Sequence, residues 1–172
     1  VRHHVLHKTV LLVLSYVFYG LWNWHFLPLL FIISLYGWIA SLGIASSRRP
    51  RVWLVLGISA CLLTLAWYKY LLFFAQNLMN LAAFMDSQLI LEIESPMLPL
   101  GISFMSFHAI SLMMDVSRGK LRTVPSLPDV LLYVAFFPQL IAGPILRASQ
   151  FMPQLETAPN PNRIETSRAL IL

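Results

Sequence analysis

The sequence predicts an all-α, polytopic transmembrane helix bundle with broken or re-entrant helices. Three observations predict it. The 172 residues are 58% hydrophobic and only 11% charged, and mean hydropathy is +0.72. A water-soluble domain carries about 25% charged residues, so this chain has too little polar material to cover a wetted surface. Apolar runs alternate with short polar connections along the whole length. The last runs are interrupted by Pro and Gly: Leu98-Pro99-Leu100-Gly101 opens one, and Pro138, Gly143 and Pro144 interrupt the next. Proline removes a backbone donor. At membrane depth the freed groups must be met by protein or a wet cavity, so such breaks point to a working site more than to an anchor.

Five apolar segments follow in order, over residues 9–21, 26–45, 52–75, 97–116 and 130–146. A span needs about 20 apolar residues. The second, third and fourth reach that length; the first and fifth fall short, and the fifth, with two prolines, reads as a broken or re-entrant helix. Residues 76–94 are weakly apolar, carry Asp86, Glu92 and Glu94, and fit an interfacial helix. The polar tail over 156–168 reads as a surface loop, with Asn162 or Thr166 as caps of a following element. The first residues, Val1-Arg2-His3-His4, lack an initiator Met, and the chain is read as an internal piece of a longer protein. No internal repeat is evident.

Charge orients the bundle. Arg2 and Lys8 precede the first segment, Arg48, Arg49 and Arg51 separate the second from the third, and Arg118, Lys120 and Arg122 separate the fourth from the fifth. The intervening connections carry no Lys or Arg (22–25) or are acidic (76–94). This alternation places the basic loops and the N-terminal end in the cytoplasm. The formal charge of +5 is therefore an orientation signal and not a nucleic-acid footprint; membrane lipid is the expected partner. Trp22, Trp24, Trp53, Trp67, Tyr68 and Tyr70 lie near segment ends, as an aromatic belt does. Cys61, the one cysteine, sits in an apolar run and reads as a packed thiol. His3, His4 and His7 read as a solvated juxtamembrane face, and no metal site is predicted.

Several residues carry candidate chemistry. His108 is the one histidine well inside an apolar segment. Packing, the lining of a tunnel and general-base work all stand open for it. Asp115 and Arg118 share a helical face and read as an interfacial ion pair. Lys69 either snorkels to the interface or meets an acidic headgroup or glycan. Pro99, Gly101, Ser103, Pro138, Gln139, Gly143, Pro144 and Arg147 form either a packed kink or a tunnel wall. Ser103 lacks a Ser-His-Asp setting for a nucleophile. There is no phosphate-binding loop, HExxH helix or dinucleotide-binding glycine signature.

The residues Leu98-Pro99-Leu100-Gly101-Ile102-Ser103-Phe104, Asp115-Val116, Arg118-Gly119-Lys120, Phe136-Phe137-Pro138-Gln139-Leu140-Ile141-Ala142-Gly143-Pro144-Ile145, Arg147 and Phe151 resemble the membrane-bound O-acyltransferase family. Tyr16-Val17-Phe18-Tyr19-Gly20 and Tyr68-Lys69-Tyr70 fit the same pattern. Within the family the chain looks most like the bacterial branch that includes alginate O-acetyltransferase and the D-alanyl-lipoteichoic acid transferase. The resemblance gives Asp115 and Arg118 a second reading, as the mouth where an acyl donor approaches. The resemblance implies an inner-membrane enzyme that moves an acetyl group to hydroxyls of an exported polysaccharide such as alginate. Acetyl-CoA or another acyl donor is then the co-substrate, with no bound cofactor, and a periplasmic acetyl-transferring protein is the implied partner. The family's catalytic membrane histidine is expected downstream of Leu172, and a first span upstream of Val1, so this part alone is expected to be inactive. Two readings from other classes are a transporter or channel component, which broken segments and His108 also suit, and a non-catalytic membrane scaffold.

Overall fold

The computed structural model describes residues 2–84, 97–121, 123–143 and 146–156. Within them every regular element is helical: α1 (Arg2–Asn23), α2 (Leu27–Ser46), α3 (Pro50–Leu65), α4 (Leu71–Phe84), α5 (Ile102–Ser117), α6 (Leu127–Ala135), α7 (Phe137–Ala142) and α8 (Ala148–Glu156). A 3-10 turn over Trp24–Phe26 joins α1 to α2, and a π-helical turn over Ala66–Tyr70 joins α3 to α4.

Proline starts helices here more than it breaks them. Pro28, Pro50, Pro128 and Pro138 each occupy the first or second position of a helix, where a backbone donor is unused and the fixed φ is already helical. Between α1 and α2 the chain turns at Asn23, whose backbone is extended (φ −162°, ψ 107°) and whose side chain accepts the His25 amide at 3.0 Å. Without that turn the apolar run Val5–Ser46 would extend about 63 Å as a straight helix, twice a bilayer's hydrocarbon core.

The centre of the bundle is α5, with Met105, Ala109, Leu112 and Met113 fully buried. It packs on α2 and α3 through small residues. A Cβ on Gly37 would sit 3.1 Å from that of Ala109, and a side chain on Gly57 would overlap Met113 and Ala40. Close backbone approach of this kind is how helices associate where no hydrophobic gain is available. The same contacts set direction: 37 meets 109, 40 and 113 both meet 57, and Gly43 meets Trp53. Thus α2 and α5 are parallel and α3 is antiparallel to both. Arg49, Arg51, Arg118 and Lys120 consequently share one end of the bundle. Lys8 joins them through its ion pair with Asp129 at the start of α6.

Four boundaries differ from the sequence-based expectation. The first segment, expected over 9–21 and short of a span, is a helix of 22 residues from Arg2 to Asn23. The fourth segment is not helical from Met97: Pro99 and Gly101 (φ +68°) hold a turn, and the helix starts at Ile102. The third does not stop at 75 but continues through the π turn to Phe84. Part of the expected interfacial stretch is therefore the end of this helical run; Asp86, Glu92 and Glu94 lie outside the described residues. The fifth segment is split at Phe136 (ψ 103°) into α6 and α7. Arg122, Pro144 and the tail with Asn162 and Thr166 are also outside the described residues.

Candidate functional site

The segment over α6, α7 and the following residues is re-entrant. Its entry, at Asp129, lies beside Lys8 at the basic end. Along α6 and α7 it advances to the opposite end, where Phe137 packs on Phe18 (5.4 Å between ring centroids) and Leu140 packs on Gly101. It then turns back. The Tyr133 hydroxyl donates to the Leu146 carbonyl at 2.7 Å, and the α8 amides Ala148 and Ser149 donate to Ser111 Oγ (3.4 Å) and Asp115 Oδ2 (3.0 Å) on α5. From Gly101 to Asp115 is 14 residues of helix, about 21 Å. The hairpin therefore enters and leaves at the basic end after running nearly the length of α5.

At the tip, two chain breaks meet. The turn before α5 puts Gly101 where a Cβ would lie 3.3 Å from the Leu140 carbonyl. Tyr19, fully buried on α1, donates to the Leu100 carbonyl at 3.1 Å. Ser103 sits half-buried in the first turn of α5. Pro138 sits in the first turn of α7, and because α6 ends at Ala135 the Val134 carbonyl is one of the last carbonyls of α6, which have no intrahelical donor. The His108 ring faces that carbonyl. The approach is looser than a hydrogen bond, since neither ring nitrogen has a partner in bonding geometry. His108 is fully buried and its ring packs at a tilt against Tyr133, 4.9 Å between centroids. Its position is thus a packing position at the hairpin, held by ring contact rather than by the hydrogen bonds expected of a buried histidine. Gln139 is buried with its Oε1 unpartnered. A Cβ on Gly143 would lie 2.6 Å from Gln139 Cα, so the chain can fold back there only on glycine. Pro144 falls outside the described residues.

At the basic end, α5 stops in a Schellman turn: Gly119 takes φ +68°, the Lys120 amide donates to Asp115 O (2.9 Å) and the Gly119 amide to Val116 O (3.0 Å). This turn corrects the expected Asp115–Arg118 pair. Arg118 is the exposed C-cap, while Lys120, folded back by the turn, brings its Nζ to 3.9 Å from Asp115 Oδ1. Arg147 is exposed and caps α8, its carbonyl accepting the Gln150 and Phe151 amides. Beside these residues opens a cavity of about 500 Å³ lined by Lys120, Thr123, Pro125, Ser149 and Met152. Lys69 stands apart, in the exposed π turn with its Nζ 5.6 Å from the Tyr70 ring centre.

The structure therefore gathers Gly101, Gln139 and Gly143 towards the tip of the hairpin, His108 at its middle and Asp115 and Arg147 at its mouth. Sequence reasoning missed Tyr133 and Ser111, and it had Tyr19 and Lys120 only as members of the family pattern or of a basic connection, without the contacts they make here. A signal existed for one of them: His108, Ser111 and Asp115 are spaced three and four apart, one face of a helix.

Fold and site together define a helical protein with two apolar helical runs long enough to cross a membrane and a hairpin packed along a central helix. The model of the membrane-bound O-acyltransferase family matches residues 102–166, which hold α5, the hairpin and α8. A probable alginate O-acetylase, AlgI, of Pseudomonas aeruginosa is 35% identical over 151 residues, covering 86% of this chain and 29% of that protein. The corresponding protein of Azotobacter vinelandii is 34% identical over 152 residues, 86% of this chain and 30% of its own length. A peptidoglycan O-acetyltransferase of Helicobacter pylori is 32% identical over 182 residues, 89% of this chain and 33% of its own. No solved structure matches the chain. The chain belongs to the membrane-bound O-acyltransferase family, and it spans about a third of the length of the curated relatives it matches.

Proposed function

We propose that the chain is part of a bacterial inner-membrane O-acetyltransferase that acts on hydroxyls of an exported polysaccharide, alginate-like in the first instance. The observation that carries this reading is the hairpin that starts at α6, which lies inside the family match, buries its own Gln139 and covers His108 of α5. Relatives named for alginate and for peptidoglycan both point to a glycan acceptor.

Acetyl transfer from a thioester forms a bond between the acceptor oxygen and the acyl carbon and breaks the C–S bond. The hydroxyl proton ends on the departing thiolate. The reaction needs a held donor, a held acceptor and a group that carries the proton. In this reading the donor, acetyl-CoA or a related thioester, approaches the cytoplasmic end. Clustered Lys8, Arg49, Arg51, Arg118 and Lys120 support that assignment through the positive-inside rule. Asp115 and Arg147 shape the mouth; Pro99, Gly101, Ser103, Pro138, Gln139 and Gly143 belong to the wall. His108 packs the hairpin, and the proton-carrying base is assigned to the rest of the full-length protein. A periplasmic acetyl-transferring protein is the proposed partner.

The test supplies radiolabelled acetyl-CoA to membranes containing the full-length protein and its periplasmic partners, and counts label in exported polysaccharide. Label that depends on the protein and falls with Gln139→Ala supports the reading. Absence of label with folded protein present would move the assignment to another donor or to transport.

A further inference from the structure

We propose that Tyr133 is a positioning residue for the transfer site: its hydroxyl fixes the returning limb of the hairpin, and with it the mouth formed by Arg147, Ser149 and Asp115. The inference rests on the acyltransferase reading. Tyr133 is fully buried on the entering limb, and its bond to Leu146 crosses 13 residues to the returning limb. The Leu146 carbonyl lies just ahead of α8, outside any helical ladder, and is partly buried, so leaving it without a donor has a cost. One residue further on, Arg147 caps α8, and then Ala148 and Ser149 are received by Ser111 and Asp115. The hairpin is thus pinned to itself by one bond and to α5 by two.

The Tyr133 ring does separate work. It packs at a tilt against His108, 4.9 Å between centroids, and against Phe151 of α8, 5.2 Å. Tyr133→Phe keeps both ring contacts and removes the hydroxyl's bond to Leu146 together with its interaction with Ser111 of α5. Phe151→Leu does the reverse, loosening the ring packing and leaving the hydroxyl bond. The two variants therefore separate positioning by the bond from ordinary packing.

The experiment uses the full-length protein in membranes, with other cysteines replaced and Ser149→Cys as a thiol reporter in the cavity beside Lys120. Expected for Tyr133→Phe is reporter labelling about tenfold faster, the opening that loss of the hydroxyl's interactions allows, with acetyl transfer reduced about tenfold in kcat. Phe151→Leu is expected to label at the parent rate. Parent-like labelling in Tyr133→Phe overturns the proposal, and so does equal acceleration in Phe151→Leu. A fall in kcat without faster labelling also overturns it, because Tyr133 would then act on substrate directly. The labelling arm needs no activity. If the parent transfers no acetyl group, the acyltransferase reading fails while labelling still decides whether the bond holds the limb.

Discussion

The carboxylate of Asp115, near the end of α5, accepts the backbone amide of Ser149 at the start of α8 at 3.0 Å. A helix N-terminus needs acceptors for its first amides, and these usually come from its own cap residue. Here Ser111 and Asp115, one turn apart on a different helix, supply them. The capping bonds therefore also fasten the exit of the re-entrant hairpin to the central helix.

Asp115→Ala should loosen α8 and destabilise the bundle by about 1–3 kcal/mol, the cost of leaving a buried amide unpaired. Asp115→Asn keeps an acceptor and should cost less. Thermal unfolding of the full-length protein in detergent ranks the two.

The two positive-φ glycines should respond differently. Gly101 and Gly119 both have φ +68°, but a Cβ at Gly101 would meet the Leu140 carbonyl at 3.3 Å whereas at Gly119 it meets nothing within 4 Å. Gly119→Ala should cost only the left-handed backbone penalty, about 1–2 kcal/mol, and Gly119→Asn less. Gly101→Ala should cost more and lower acetyl transfer, because the tip of the hairpin must move. Unfolding temperature and transfer rate, measured together, check both statements.

Gly143→Ala should be among the most damaging single-methyl additions in the chain. The new Cβ would lie 2.6 Å from Gln139 Cα, which is backbone and cannot rotate away. The expected outcome is loss of acetyl transfer with protein still inserted in the membrane, read from activity and from amounts in the membrane fraction.

Lys8→Ala should have a small effect. The Lys8–Asp129 pair is short, 2.7 Å, but both side chains remain partly exposed, at 24% and 19%. Pairs of that kind contribute about 0–1 kcal/mol, and Ser126 still donates to Asp129 Oδ2 at 2.6 Å. A fall of more than about 2 kcal/mol would show that the pair is screened from water.

Much of this architecture was legible in the sequence because its causes are local. Apolar runs, basic connections and the Pro and Gly positions marked the helices, the charged end and the interrupted last segment. Two features were not legible. Asp115 spaced three from Arg118 suggested a pair on one helical face, but the helix ends between them, and the turn at Gly119 hands the contact to Lys120. The return of the hairpin was open in the sequence because it depends on Tyr133 reaching Leu146 and on Ser111 and Asp115 reaching α8. Those contacts join residues 13 to 37 apart, and no periodicity records them.

The central claim is that the chain over 127–147 enters and leaves at the same end of the bundle. Thiol labelling from one side of the membrane tests it most directly. In the full-length protein, with Cys61→Ala and other cysteines replaced, Thr123→Cys and Gln154→Cys flank the hairpin, and Trp24→Cys marks the opposite end. An impermeant reagent applied to sealed inside-out vesicles should label Thr123→Cys and Gln154→Cys and spare Trp24→Cys. Labelling of Thr123→Cys and Gln154→Cys from opposite sides would make this segment a full crossing and contradict the re-entrant hairpin.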